Sequence, residues 1–234
     1  MRGFLFIAFI LAGVIGAVIA KKLTITASIT GGVLAALIFF GVGWLGIAFM
    51  TCFFLLGTLT TSWKKNYKLA SGIVKKDDAR RNTGQVLANG GVAGVLGALA
   101  IVFPQHQLLF LFLIATSFSA ATSDTISSEL GTVYGRNFYD ILSLKRGVRG
   151  ENGIISIEGT FFGILGSTFI AAIYSAEYGL DQRSIWIVVA GTIGNLADSV
   201  LGATLERRNV LGNDAVNLLN TAIAAAVGYF LFSI

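Results

Sequence analysis

Charge is scarce in this chain. Acidic and basic residues make up only 12% of its 234 positions, while 55% are hydrophobic and the mean hydropathy is +0.78. That balance excludes an ordinary soluble enzyme and leaves little outside a bilayer from which to build a separate domain. The single cysteine, Cys52, lies inside an apolar run, which excludes an internal disulfide and a thiolate zinc cluster. The single histidine, His106, sits beside the single proline, Pro104, in a short turn and reads as a loop residue. Chemistry needing a histidine or cysteine base therefore has no carrier. Glycine, by contrast, is plentiful at 29 residues, which suits close approach of helix backbones in lipid.

What is there reads as one all-α polytopic membrane domain, 1–234, with about eight spans. These lie at 3–20, 24–41, 44–62, 84–103, 107–130, 153–177, 184–205 and 213–233. The first lacks a small-x-small cleavage pattern followed by a polar start, so it is expected to be a retained helix. The uncharged stretch 23–63 is too long for one crossing, and GVGWLG at 41–46 is its natural break. With these spans, fifteen of the seventeen Lys and Arg fall on one side, leaving only Arg2 and Arg183 opposite. The positive-inside rule makes that side cytoplasmic and puts both termini outside. The chain then divides into N-terminal helices (1–63), a basic cytoplasmic loop (64–83) and the helices 84–234.

Residues 116–131 (TSFSAATSDTISSELG) break the apolar pattern most sharply. Eight of the thirteen positions from 116 to 128 carry hydroxyls, and the stretch holds Asp124 and Glu129. An acid at membrane depth costs roughly 2.5–3.5 kcal/mol even on lenient insertion scales, so it is usually functional rather than decorative. Asp124, Ser127 and Ser128 share a helix face, whereas Glu129 lies about 140° round from Asp124, so the two acids do not automatically grip one ion. The plainer alternative is a helix cap at the membrane surface.

Further polar groups lie at the same end of the predicted bundle. In the basic segment 64–81, Lys64, Lys65 and Lys68 suit anionic lipid heads. Arg80, Arg81 and Asn82 instead lie against the next helix, where Gln85 and Asn89 continue a polar edge from Asn82. In the loop 135–153, Lys145, Arg146 and Arg149 precede Asn152 and the glycines that open the sixth helix, an arrangement suited to anions. Glu158 is expected to pair with a loop arginine. Asn195, Asp198 and Gly202 share one face of the seventh helix, where Gly191 and Gly194 predict a tight neighbour. Asn213, Asn217 and Asn220 form a stripe on the eighth, and Asp214 and Asn213 also suit a helix start. Carboxylates with amides and hydroxyls are hard-oxygen ligands for Mg²⁺, and adjacent cations suit the phosphates that Mg²⁺ bridges. Catalysis by positioning and charge neutralisation needs nothing more.

Five stretches resemble the transmembrane protein 19 family, which includes the phytyl-phosphate kinases of plastids and cyanobacteria. They are RNTGQVLANG (81–90), SDTISSELG (123–131), GENGIIS (150–156), GNLADSVLGAT (194–204) and NDAVNL (213–218). The chain departs from the family pattern at Ile126, usually tryptophan there, at the loop 150–154 (GENGI), and at Asp214, often asparagine. The resemblance implies phosphoryl transfer from a nucleoside triphosphate, CTP favoured, to an isoprenyl monophosphate. It also implies distant kinship with dolichol kinase and phosphatidate cytidylyltransferase.

On this reading Asp124, Asp198 and Glu129 are catalytic, and Asp124, Asp198 and Asp214 hold Mg²⁺, with Mn²⁺ as a substitute. Arg81, Asn82, Lys145, Arg146, Arg149, Asn152, Asn213 and Asn217 bind phosphates. The expected partners are the isoprenoid substrate and membrane lipids. No nucleic acid is expected, and a homodimer is compatible. The expected setting is a bacterial inner membrane with the active site facing the cytoplasm. Two rivals stand beside this reading: a CTP-dependent cytidylyltransferase making a CDP-lipid, and a proton- or sodium-coupled transporter with Asp124 and Asp198 as its ion site.

Overall fold

The computed structural model describes residues 2–70 and 80–234. Among them are eight long helices, at the eight expected positions: α1 (Arg2–Ile19), α2 (Ile25–Val42), α3 (Trp44–Ser62), α5 (Thr83–Val102), α6 (Gln107–Tyr134), α7 (Ile157–Tyr178), α8 (Gln182–Leu201) and α9 (Asn213–Phe232). Seven are long and apolar enough to cross a bilayer by length and composition, and the described apolar part of α1, Leu5–Ile19, is shorter. A one-and-a-half-turn helix, α4 (Lys65–Ala70), follows α3.

Local signals set the boundaries. Thr24 caps α2 by accepting from Ala27 N, and Asn82 and Gln85 form a reciprocal capping box at the start of α5. Ser156 caps α7 and Asp181 caps α8 in the same way. The α2–α3 break falls at Gly43, whose φ of +77° belongs to glycine, within the GVGWLG run. Trp44 and Trp63 bracket α3 at a separation of about 28 Å, close to the thickness of the hydrocarbon core.

α6 is the axis of the bundle. It packs against α3, α5, α7, α8 and α9, and 78% of its most apolar window is buried. The hydroxyls of 116–123 serve this packing. Thr116, Ser117, Ser119, Thr122 and Ser123 are fully buried, and three of them donate to backbone carbonyls, Thr116 to Leu113 (2.9 Å), Ser119 to Ile187 (3.0 Å) and Thr122 to Phe118 (2.6 Å). Lipid offers no hydrophobic force between helices, so small side chains and close backbones hold them together. Gly191 packs on Ser119 and Ser167, and Gly194 on Ala120 and Ala224, the tight neighbours their positions predict.

The loop before α7 contains an element absent from the sequence reading. Tyr139–Asp140 (β1) pairs antiparallel with Ile154–Ile155 (β2), so α7 begins four residues later than expected and 150–153 belong to the hairpin. α8 ends in a π-helical turn, Gly202–Glu206, a local widening often found at functional sites.

Candidate active site

At the bundle end formed by the starts of α5 and α9 and the ends of α3, α6 and α8 lies a polar cavity of about 540 Å³. α6 supplies Asp124, Thr125, Ser127, Ser128 and Glu129, and α8 with its π turn supplies Asn195, Asp198, Ser199, Gly202 and Glu206. α5 and its cap contribute Asn82, Gln85 and Asn89, α9 contributes Asn213 and Asn217, and the hairpin closes over them with 150–155. The convergence expected of Asp124, Asp198, Asn152, Asn213 and Asn217 is therefore present.

Asp124 and Asp198 face each other within hydrogen-bonding reach. Two carboxylates so placed must share a proton or hold a cation between them. Asp198 is oriented from behind: the Asn220 amide, fully buried, donates to its Oδ1 at 3.1 Å. Asn220, the deepest member of the α9 stripe, thus reaches Asp198 from outside the cavity lining. Glu206, a residue the sequence reading did not single out, reaches the cavity through the π turn and accepts from Asn152.

The cations that line the cavity are Lys22, Lys65, Lys68, Arg80 and Arg81. Arg81 holds its place through its backbone, which exchanges hydrogen bonds with Lys22 O (2.9 Å) and Thr24 N (3.1 Å). Its guanidinium lies 5.4 Å from the Phe53 ring centre and passes over Gly57, where a Cβ would sit 2.6 Å from Nη2. Burial lowers the Arg81 pKa, and the nearby Glu129 carboxylate acts in the opposite direction.

Several expected roles are displaced. Lys145 and Arg146 are exposed and Arg149 donates to the Tyr67 hydroxyl at 3.1 Å, so none of the three lines the cavity. In the hairpin Gly147 packs against Ile154, and Lys145 and Arg146 stand in the exposed stretch before it. Lys68 is not a lipid-facing residue. It is 1% exposed and donates to Glu129 Oε2 (2.5 Å) and to the carbonyls of Thr60 and Thr61 (both 3.0 Å). Lys64 instead stacks on Tyr134, and the part of the basic segment at 71–79 lies outside the described residues. Glu129 is thus committed to an ion pair about 7.5 Å further along the helix axis than Asp124, by five residues of 1.5 Å.

Asn82 spends its side-chain oxygen on the α5 cap, accepting from Gln85 N at 3.0 Å. Asp214 does not line the cavity; its carboxylate packs against Gly84 at the start of α5. Glu158 makes no ion pair among the described residues, and the loop's arginine contact runs instead from Arg207 to Asp140 at 2.6 Å. Asp140 also accepts from Ser143 N (2.9 Å) and Leu142 N (3.0 Å), and these bonds with Arg207 bring its pKa down to about 2. The clamp fixes the hairpin so that Asn152 overhangs the cavity. Gly153, at φ +74°, meets Ala203 of the π turn so closely that no Cβ fits.

Among the described residues no three His, Cys, Asp or Glu side chains cluster as a metal cage. The facing pair Asp124 and Asp198 still fits Mg²⁺, which is usually bound through one or two carboxylates, with substrate phosphates and water completing its shell.

Comparison with known proteins agrees with the architecture. The chain is 29% identical to protein VTE6, chloroplastic, of Arabidopsis thaliana over 92% of its own length and 68% of that protein's. It is 34% identical to an uncharacterized membrane protein of Synechocystis over 83% of this chain and 77% of that one. To an uncharacterized membrane protein of Methanocaldococcus jannaschii it is again 34% identical, over 77% and 73% respectively. No solved structure matches the chain. The model of the integral membrane protein family DUF92 matches residues 8–225, nearly the whole bundle and every residue of the cavity, and the protein belongs to that family.

Proposed function

We propose that this protein is a Mg²⁺-dependent prenyl-phosphate kinase. It would transfer the terminal phosphoryl group of a nucleoside triphosphate, CTP favoured, to an isoprenyl monophosphate at the cytoplasmic face of a cell membrane. The observation that carries the reading is the opposition, within one cavity at a helix-end face, of the facing Asp124 and Asp198 and the cations Lys22, Lys65, Lys68, Arg80 and Arg81. The resemblance of five motifs to the transmembrane protein 19 family supports the substrate class, and the similarity to VTE6 runs over most of the chain.

The chemistry asks for no side-chain base. An oxygen of the acceptor monophosphate, already ionised, attacks the terminal phosphorus; the bond to the bridging oxygen breaks and the nucleoside diphosphate leaves with that electron pair. Mg²⁺, when bound, would supply charge neutralisation. Asp124 and Asp198 hold the cation position, with Asn220 fixing the Asp198 rotamer. Arg81, planar and anchored, suits bidentate phosphate binding, and Lys22, Lys65 and Arg80 add positive potential. Asn152, Asn213 and Asn217 position phosphate oxygens or metal-bound water. A cavity framed by the Asn82 cap and the first turn of α9 belongs to the end of the bundle, which favours an enzyme over a mid-membrane transport site.

The test is purified protein in detergent with Mg²⁺, labelled nucleotides, and phytyl, farnesyl and geranylgeranyl monophosphates. Prenyl diphosphate is expected, and it is expected to vanish in Asp124→Asn and Asp198→Asn, which keep shape but lose charge. Both variants should fold, since neutralising an acid near lipid relieves a cost. A CDP-lipid as product would replace the kinase with the cytidylyltransferase. Normal turnover in either variant would remove that residue from the cation site.

A further inference from the structure

A second cavity, of about 370 Å³, lies between α1, α2, α3 and α5. Its lining is apolar apart from Ser28, Thr51, Arg81 and Gln85, and the Ser28 hydroxyl is already committed to Val14 O at 2.8 Å. Arg81 and Gln85 are the two residues it shares with the polar cavity. Along α1 the lining runs from Phe9 to Ala17, about 12 Å by eight residues of 1.5 Å, so the slot follows the helix axes inward from the phosphate-binding end. Its floor is Phe118 of the central helix, and glycines thin its walls: a Cβ at Gly31 would meet only Val86 Cγ1, at 4.0 Å.

We infer that this slot holds the hydrocarbon tail of the acceptor substrate, with Arg81 and Gln85 at the junction of tail and phosphate; the identity of that headgroup rests on the phosphoryl-transfer reading above. A molecule with one anionic end and one apolar end meets both surfaces in order at this junction. Arg81 lines both cavities, and its guanidinium lies 5.4 Å from the centre of the Phe53 ring, itself part of the apolar wall. A phosphodiester lipid such as phosphatidylglycerol satisfies the apolar wall equally well but brings no terminal phosphate monoester to Arg81. Charge complementarity at the junction therefore favours the substrate.

The experiment is photolabelling of the purified full chain in detergent with a prenyl monophosphate carrying a diazirine in its tail. Adducts are expected within 9–17, 28–35 and 47–55, competed by unlabelled prenyl monophosphate and not by excess phosphatidylglycerol. Gly31→Leu should cut that labelling and the turnover of long-tailed over short-tailed acceptors, by about tenfold or more for apolar volume lost from such a pocket. Adducts on α7, α8 or α9, or equal competition by phosphatidylglycerol, would overturn the assignment. Labelling needs no turnover, so the two readings fail separately. A labelled slot without diphosphate formation removes the kinase and keeps the tail site. Diphosphate formation with the tail labelled elsewhere removes the tail site alone.

Discussion

The ion pair between Lys68 and Glu129 joins the short helix α4 to the central helix, and its perturbation can be worked through in numbers. Lys68 is 1% exposed and places its ammonium on one carboxylate and two carbonyls, while Glu129 is 20% exposed. Removing one partner of a buried pair costs about 3–5 kcal/mol, because the survivor is left charged and uncompensated. Glu129→Gln strands the more buried member, and we expect about 3 kcal/mol, the low end, since two carbonyls remain. Lys68→Met leaves a carboxylate that still reaches water and feels Arg81, so about 1–2 kcal/mol is expected there. In the double variant neither charge is stranded, so its loss should fall short of the sum by about 1 kcal/mol or more. At about 2–4 °C per kcal/mol for a chain of this size, Glu129→Gln should melt about 6–12 °C lower than the parent in detergent. Thermal melts of the four proteins complete the cycle. Additivity within about 0.5 kcal/mol, or a larger loss from Lys68→Met than from Glu129→Gln, would refute the buried-pair account.

Two further outcomes follow from the same cavity. Asn217→Ala should chiefly raise the nucleotide KM, whereas Asn220→Ala should raise the Mg²⁺ requirement and cut kcat by about 10–100-fold, as loss of a ligand-orienting partner does; identical kinetic signatures would deny Asn220 its positioning role. The hairpin should respond to acid through Asp140. Its pKa is depressed in the folded protein, so its stabilisation is in full force above the ordinary value of about 3.9 and fades as pH falls through about 2. Pepsin nicking at 135–153 should therefore rise as pH drops from 4 to 2 in the parent and be high throughout in Asp140→Asn; a flat profile in the parent would remove the clamp.

The spans were legible because helix length and the absence of charge decide them locally. Asp124, Asp198, Asn213 and Asn217 were legible for a related reason: a polar group on a lipid-depth helix must face inward, and its distance from the helix end gives its depth. Most of the cavity's cations were not. Positive charge in a loop has no period, and Lys145, Arg146 and Arg149 looked better placed than Lys22 or Lys68 until the fold of the β1–β2 hairpin left them outside the cavity lining. Two-residue strands leave almost no trace in sequence. The π turn that brings Glu206 inward also shifts its register away from the regular 3.6-residue repeat. Arg81 was found because it abuts a helix start, and Gly57, whose missing side chain makes room for it, becomes meaningful only once the Arg81 side chain is seen lying over α3.

The asparagine stripe of α9 shows how one periodic signal divides into different tasks. Asn213, Asn217 and Asn220 share a face, yet only the first two line the cavity. Asn220 lies about 10 Å beyond Asn213 along the axis, by seven residues of 1.5 Å, where lipid-depth burial is complete. A fully buried amide is stable only with a partner, and the carboxylate of Asp198 accepts from its Nδ2. The same hydrogen bond that occupies the Asn220 Nδ2 holds the carboxylate that faces Asp124. Depth on the helix, rather than residue type, therefore separates a group that lines the cavity from one that aims a carboxylate.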